Sequence, residues 1–204
     1  RLAFAYAATG DHYFEYARFS DLDDYDKASA YYAKALEINP LIECRTPSDV
    51  YWKVIDSDLH SGQYNRAIVY ITKAKVLASN PEDIQYYQHL LAEAYHGRGI
   101  ENQYYKRDES IEDLGKAIEL DPTNAEHYYG RASIYEGLAE WLFDKYWHES
   151  GYTIYDWEDL IGSFKKSKTQ TKVDYTKALD NAIADYAKVI ELEPEIAGGY
   201  LNRG

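Results

Sequence analysis

The sequence predicts an all-α fold, an α-solenoid of antiparallel helix pairs, and three observations carry that prediction. Apolar residues recur at three- and four-residue steps: Ile111, Leu114, Ala117, Ile118 and Leu120 make one helical stripe, and Tyr128, Ala132 and Tyr135 begin the next. Proline punctuates the stripes. Four of the five prolines, Pro40, Pro81, Pro122 and Pro194, follow Asn, Asp or Glu at the close of such a run, where proline ends a helix and pushes the preceding residue out of the helical region. Finally, the pattern repeats: YDKASAYYAKALEINP, YNRAIVYITKAKVLASNP and DNAIADYAKVIELEP are variants of one segment. Self-similarity of this kind marks an array in which each unit buries its apolar face only against its neighbours.

Taken in order, residues 1–40 form a partial first unit. Tyr13, Phe14, Tyr16 and Phe19 make the extra segment before Tyr25 apolar, so it is expected to lengthen the first helix rather than form an open loop. Residues 41–81 form the second unit, with Ser48 as the expected cap of a helix around Tyr51, Trp52 and Ile55. Ser61-Gly62 makes the turn, and Tyr64 to Ala78 the return helix. In the third unit, 82–122, Asp83 is the expected cap, and Gly97 and Gly99 are expected to break the helix before a short insertion. Thr123 and Asn124 are placed to cap the fourth unit, 123–194. Its first helix is expected to run on past Gly137 through Leu138, Trp141, Leu142, Phe143, Tyr146 and Trp147. This begins a long insertion over about 138–176, including a short helix around Trp157 to Phe164, a polar linker holding Lys165, Lys166, Lys168 and Lys172, and a return helix resuming near Tyr175. Residues 195–204 read as the start of a fifth unit, so the pattern is expected to continue past Gly204. An uncovered half-repeat there would favour a homo-oligomer.

Composition narrows the partners. The 204 residues are enough for one elongated domain with a sizeable core, and 22 Lys plus Arg against 35 Asp plus Glu leave a net charge of −13. That balance argues against nucleic acid and against an anionic membrane surface. No apolar run reaches the length of a membrane span, so membrane insertion is not expected. The single cysteine, Cys44, rules out an internal disulfide framework. No Gly-rich phosphate loop, nucleophile elbow or paired-cysteine site is present, and no cofactor is expected.

The repeated unit resembles the tetratricopeptide repeat, a pair of helices, A and B, of about 34 residues. The residues carrying the resemblance are Leu2, Ala3, Tyr6 and Gly10; Leu91, Ala92 and Tyr95; and Ala132 and Tyr135 in helices A. In helices B they are Ala28, Tyr32 and Ala35; Ala67 and Ala74; and Ala182 and Tyr186, with the closing prolines. Alanine where two helices cross lets the backbones approach, and an aromatic fills the adjoining gap. The resemblance implies a non-catalytic scaffold whose A helices line a concave groove for a protein or peptide ligand. The implied groove positions are Trp52, Lys53, Asp56, Leu59 and His60, then Tyr86, His89, Glu93 and His96, then Glu126, Tyr129, Ser133 and Glu136. The family's carboxylate clamp needs Lys, Asn and Arg at such positions. Here Lys53 stands alone among Asp56, Glu93, Glu126 and Glu136, so an acidic tail would meet like charge, and an apolar or basic peptide is the expected ligand.

Two alternatives accompany this reading. The inserted aromatic edge, with Trp141, Tyr146, Trp147 and Trp157, offers a second surface, suited to a regulatory or assembly role in a larger multi-protein or envelope complex, or to self-association. His89, Glu93 and His96, four and three residues apart, share a helix face and with His60 could hold a divalent metal for hydrolysis. That spacing is no recognised zinc signature, and groove-facing histidines are ordinary in peptide-binding repeats, so no metal site is assigned.

Overall fold

The computed structural model describes residues 1–17, 22–42, 47–150, 161–162 and 170–195. Within them lie eight long helices and no strand: α1 (Leu2–Ala17), α2 (Leu22–Ile38), α3 (Pro47–His60), α4 (Tyr64–Leu77), α5 (Pro81–Asn102), α6 (Arg107–Leu120), α7 (Ala125–Ser150) and α8 (Gln170–Leu192). The fold class is that of an all-α helix-pair solenoid. The chain divides into two compact units: Arg1–Glu101 with Glu119–Asp121, and Asn102–Ile118 with Pro122–Gly204.

In the first unit α1 packs on α2, α2 on α3 and α3 on α4. Ala28, Ala35 and Ala67 are fully buried at these crossings beside Tyr32, Val54, Ile55 and Ile71. Each large apolar side chain so buried contributes about 1.5–3 kcal/mol, while the alanines set how closely the helices approach. The expected lengthening of the first helix is present, and Phe14 in that extra stretch is buried against Tyr25 and Tyr32.

Three helix-end expectations are corrected. α3 begins at Pro47, so Ser48 stands within the helix and not at the position before it; proline suits a first turn, where its missing N–H has no partner to lose. α5 begins at Pro81 and is capped by Asn80, not Asp83. Asn80 Oδ1 accepts from the Asp83 N–H at 2.7 Å and Asn80 Nδ2 donates to Asp83 Oδ2 at 2.7 Å, a reciprocal box that places Asp83 at the third helical position. Gly97 and Gly99 do not break α5, which runs 22 residues to Asn102. A Cβ at Gly97 would lie 2.3 Å from the Tyr64 ring, so this glycine serves close approach to α4 and not termination. The expected turn at Ser61-Gly62 is present. Gly62 has φ 73°, the Gln63 N–H donates to the Asp58 carbonyl at 2.7 Å and the Gly62 N–H to the Leu59 carbonyl at 3.3 Å, the paired bonds of a Schellman end.

In the second unit α7 packs along α8. Asn124 caps α7, its Oδ1 accepting from the Glu126 N–H at 2.9 Å. As expected, α7 runs past Gly137, reaching 26 residues, and Leu142 in the extension is buried. The return helix starts at Gln170, five residues before the expected Tyr175, and takes Lys172 out of the supposed linker. Phe143 of α7 meets Tyr175 of α8 with ring centres 6.3 Å apart, so part of the insertion lengthens both helices of the hairpin. Cys44, Trp157, Lys165, Lys166 and Lys168 lie outside the described residues, as does the expected helix at Trp157 to Phe164 save residues 161–162.

Candidate functional site

In the first unit the helix-A positions of α1, α3 and α5 supply an aromatic face. Trp52 on α3 and Tyr86 on α5 are 39% and 44% exposed, and the Trp52 indole Nε1 donates to the Tyr86 hydroxyl at 3.1 Å. Beneath them Trp52 meets buried Phe14 edge-on at 5.8 Å. His60 stacks on Tyr25 at 4.8 Å, and its Nδ1 lies 2.8 Å from the Asp56 carbonyl and 3.5 Å from the Asp56 carboxylate. Lys53, the only cation among the predicted groove residues, pairs with Asp11 on α1, which also accepts from the Tyr32 hydroxyl at 2.9 Å. Leu59 is half-buried. The structure thus joins Trp52 to Tyr86 and His60 to Asp56, and it neutralises Lys53.

The proposed metal constellation does not assemble. His89 Nδ1 lies 3.3 Å from Asp121, Glu93 is exposed and His96 half-buried. Among the described residues no group of three or more His, Cys, Asp or Glu is arranged to hold a metal ion.

The second unit has its own face. Tyr129 meets Tyr186 edge-on at 5.9 Å, and the Tyr186 hydroxyl donates to Glu136 at 2.8 Å. Burial first, then this bond to a carboxylate, push the Tyr186 phenol well above its ordinary range. Glu126 and Ser133 are exposed on the same helix, and Ser133 and Glu136 line a cavity of ≈ 260 Å³ with Tyr104, Arg107 and Glu140. On the extension Trp141 is half exposed between two cations, Lys145 at 5.5 Å and Arg107 at 5.9 Å from its ring, while Tyr146 and Trp147 are half-buried.

Two polar locks escaped sequence reasoning. In the first unit Asp58 is fully buried; its Oδ1 accepts from Arg66 Nε at 3.0 Å, from Arg66 Nη2 at 2.5 Å and from the Ser29 hydroxyl. Its Oδ2 finds no partner among the described residues. Burial raises the Asp58 carboxyl above its ordinary value, against the opposing pull of Arg66 and Ser29. In the second unit Arg131 forks onto Asp185, Nε to Oδ2 and Nη2 to Oδ1, both at 2.8 Å. The signal was present in the stripes: Asp58 stands three residues after Ile55, and Asp185 lies between Ala182 and Val189, acids on otherwise apolar faces.

Antiparallel helix pairs with alanine crossings and capped turns define a repeat protein of the α-solenoid class. Residues 19–40 match the tetratricopeptide repeat family model. No curated protein matches. Among solved structures, a crystal structure of MamA is similar at 21% identity over 84% of this chain and 70% of that one, with a TM-score of 0.44. A second crystal structure of MamA protein shows 23% identity over 97% and 94%, with a TM-score of 0.41. The thermophilic TPR protein TTC0263 of Thermus thermophilus shows 20% identity over 95% and 92%, with a TM-score of 0.35. Tetratricopeptide repeats are typically non-catalytic scaffolds that bind protein partners, and that is the class this fold supports. No helix among the described residues is long and apolar enough to cross a membrane.

Proposed function

We propose that the chain is a protein-interaction scaffold whose helix-A face in the first unit holds an apolar or basic peptide. The Trp52–Tyr86 pair carries this reading. It is two exposed aromatics tied across neighbouring A helices by one hydrogen bond, so a ligand meets rings already held in place. Charge supports the same conclusion: Lys53 is answered by Asp11, while the carboxylates of Asp56 and Glu93 at the predicted groove positions repel a terminal carboxylate and attract a basic side chain.

Peptide titrations followed by fluorescence anisotropy test it. A fluorescent peptide alternating Leu with Arg is expected to bind, and a peptide ending in an acidic tail is not. Trp52→Ala with Tyr86→Ala removes a central anchor worth about 2 kcal/mol, a loss of about 30-fold in affinity. Tight binding of the acidic tail that Lys53→Ala abolishes would overturn the proposal, as would full binding of the basic peptide by the double variant. A second reading, a contact surface on the lengthened hairpin, is favoured by the exposed Trp141 between Arg107 and Lys145; it predicts that Trp141→Ala, and not the double variant, abolishes binding.

A further inference from the structure

A second concave surface in the first unit shares no residue with the Trp52–Tyr86 face. The ends of α2 and α4 and the residues after α2 enclose a cavity of ≈ 430 Å³, floored by Tyr51 and Tyr70, whose rings meet edge-on at 6.3 Å. Burial keeps both phenols neutral, raising them above their ordinary range. The rim is apolar and open to solvent: Val76 is 80% exposed and Leu41 62%, and Leu77 is also exposed. Scattered exposed apolar residues need no explanation, but a group gathered around a cavity with an apolar floor does.

One wall of this cavity, α4, is basic in an acidic chain. α4 is the one described helix without Asp or Glu, and it carries Arg66, Lys73 and Lys75 within a protein of net charge −13. Arg66 is turned into the Asp58 lock, which leaves the two lysines for the surface. Lys73 sits over the Tyr70 ring at 5.2 Å, at the lip of the cavity, and Glu37 is the single acid among the lining residues. Val69, Thr72, Lys73 and Val76 fall three, four and seven residues apart, a ridge of about 10 Å along α4. A ridge beside a hollow of this length receives about two turns of a helix.

We propose that this groove docks an amphipathic helical segment of a partner protein, with an apolar stripe that seats over Tyr51 and Tyr70 and acidic flanks that meet Lys73 and Lys75. The scaffold then holds two ligands of opposite charge on two faces of one unit, the basic one at Trp52–Tyr86 and the acidic one here.

The test uses two fluorescent 16-residue peptides with leucines at helical spacing, one flanked by glutamates and one by lysines. Binding is measured on the Trp52→Ala/Tyr86→Ala variant, so that failure of the first face leaves this result untouched. The glutamate-flanked peptide is expected to bind, at least tenfold tighter than its lysine twin, and to weaken as salt is raised. Val76→Glu and Leu41→Glu, both at exposed positions that leave the core intact, are expected to lose that binding at least tenfold. Lys73→Glu with Lys75→Glu is expected to reverse the preference. Equal affinity for the two peptides, no binding by either, or binding that Val76→Glu leaves unchanged overturns the proposal. A dimer in sedimentation velocity that Val76→Glu dissociates would place a second copy of the chain in the groove and overturn it equally.

Discussion

The same substitution at two helix-interior glycines is expected to act with opposite sign. Glycine inside a helix costs about 1 kcal/mol relative to alanine, so Gly→Ala is favourable wherever the methyl group has room. Gly137 in α7 has that room, since a Cβ there meets nothing within 4 Å. Gly10 in α1 does not: a Cβ would lie 2.7, 2.8 and 3.0 Å from three carbons of the Tyr32 ring. That ring cannot swing aside, being fully buried, with its hydroxyl donating to Asp11 at 2.9 Å and the Lys53 ammonium 5.9 Å from its centre. Overpacking of a rigid site costs about 1–3 kcal/mol, which offsets or exceeds the helix gain. Gly137→Ala is therefore expected to stabilise by up to about 1 kcal/mol and Gly10→Ala to destabilise by up to about 2 kcal/mol. Urea unfolding followed by far-UV circular dichroism reads both shifts. If Gly10→Ala stabilises as much as Gly137→Ala, the inference that the Tyr32 ring leaves no room for a methyl group at Gly10 is wrong.

Two further outcomes concern the buried acids. Asp58→Asn keeps an acceptor for Ser29 and Arg66 but removes the titrating carboxyl, so its effect on stability is expected to depend on pH. Since burial lifts the folded-state carboxyl above its ordinary 3.8, the folded protein binds the proton more tightly than the unfolded chain. This favours the wild type most below that ordinary value, and the advantage is lost as pH rises through the raised one. Urea midpoints should therefore show the gap between wild type and Asp58→Asn narrowing from acid toward neutral pH, and a gap that widens with pH would refute the assignment. Arg131→Ala strands Asp185 in a buried site and is expected to cost about 3 kcal/mol, with Arg131→Lys recovering only part because a single ammonium cannot make both bonds of the fork; thermal unfolding of the three proteins checks the order.

The helices were legible because their cause is local. An apolar stripe and a proline stop act within a few residues, so α2, α4, α6 and the run of α7 past Gly137 could be read directly. The errors arose where a non-local contact decided the outcome. Gly97 looks like a helix breaker until the Tyr64 ring is seen against it, and Gln170 joins α8 where the lengthened α7 offers Phe143 as a partner for Tyr175. The locks at Asp58 and Asp185 depend on arginines 8 residues ahead in one case and 54 residues back in the other, separations that no periodicity encodes.

Adjacent aromatics link this packing to the candidate site. Successive residues on a helix point about 100° apart, so an aromatic doublet cannot send both rings into the core. Tyr51 is buried and its neighbour Trp52 exposed; Tyr87 is buried and Tyr86 exposed; Tyr32 is buried and Tyr31 only half so. One member of each doublet stabilises the helix pair, and its burial fixes the rotation of the helix. That rotation in turn fixes where the other member stands. The Trp52–Tyr86 hydrogen bond is then a consequence of burying Tyr51 and Tyr87, and the exposed face is as rigid as the core that aims it. These three doublets thus make core and surface from one pattern.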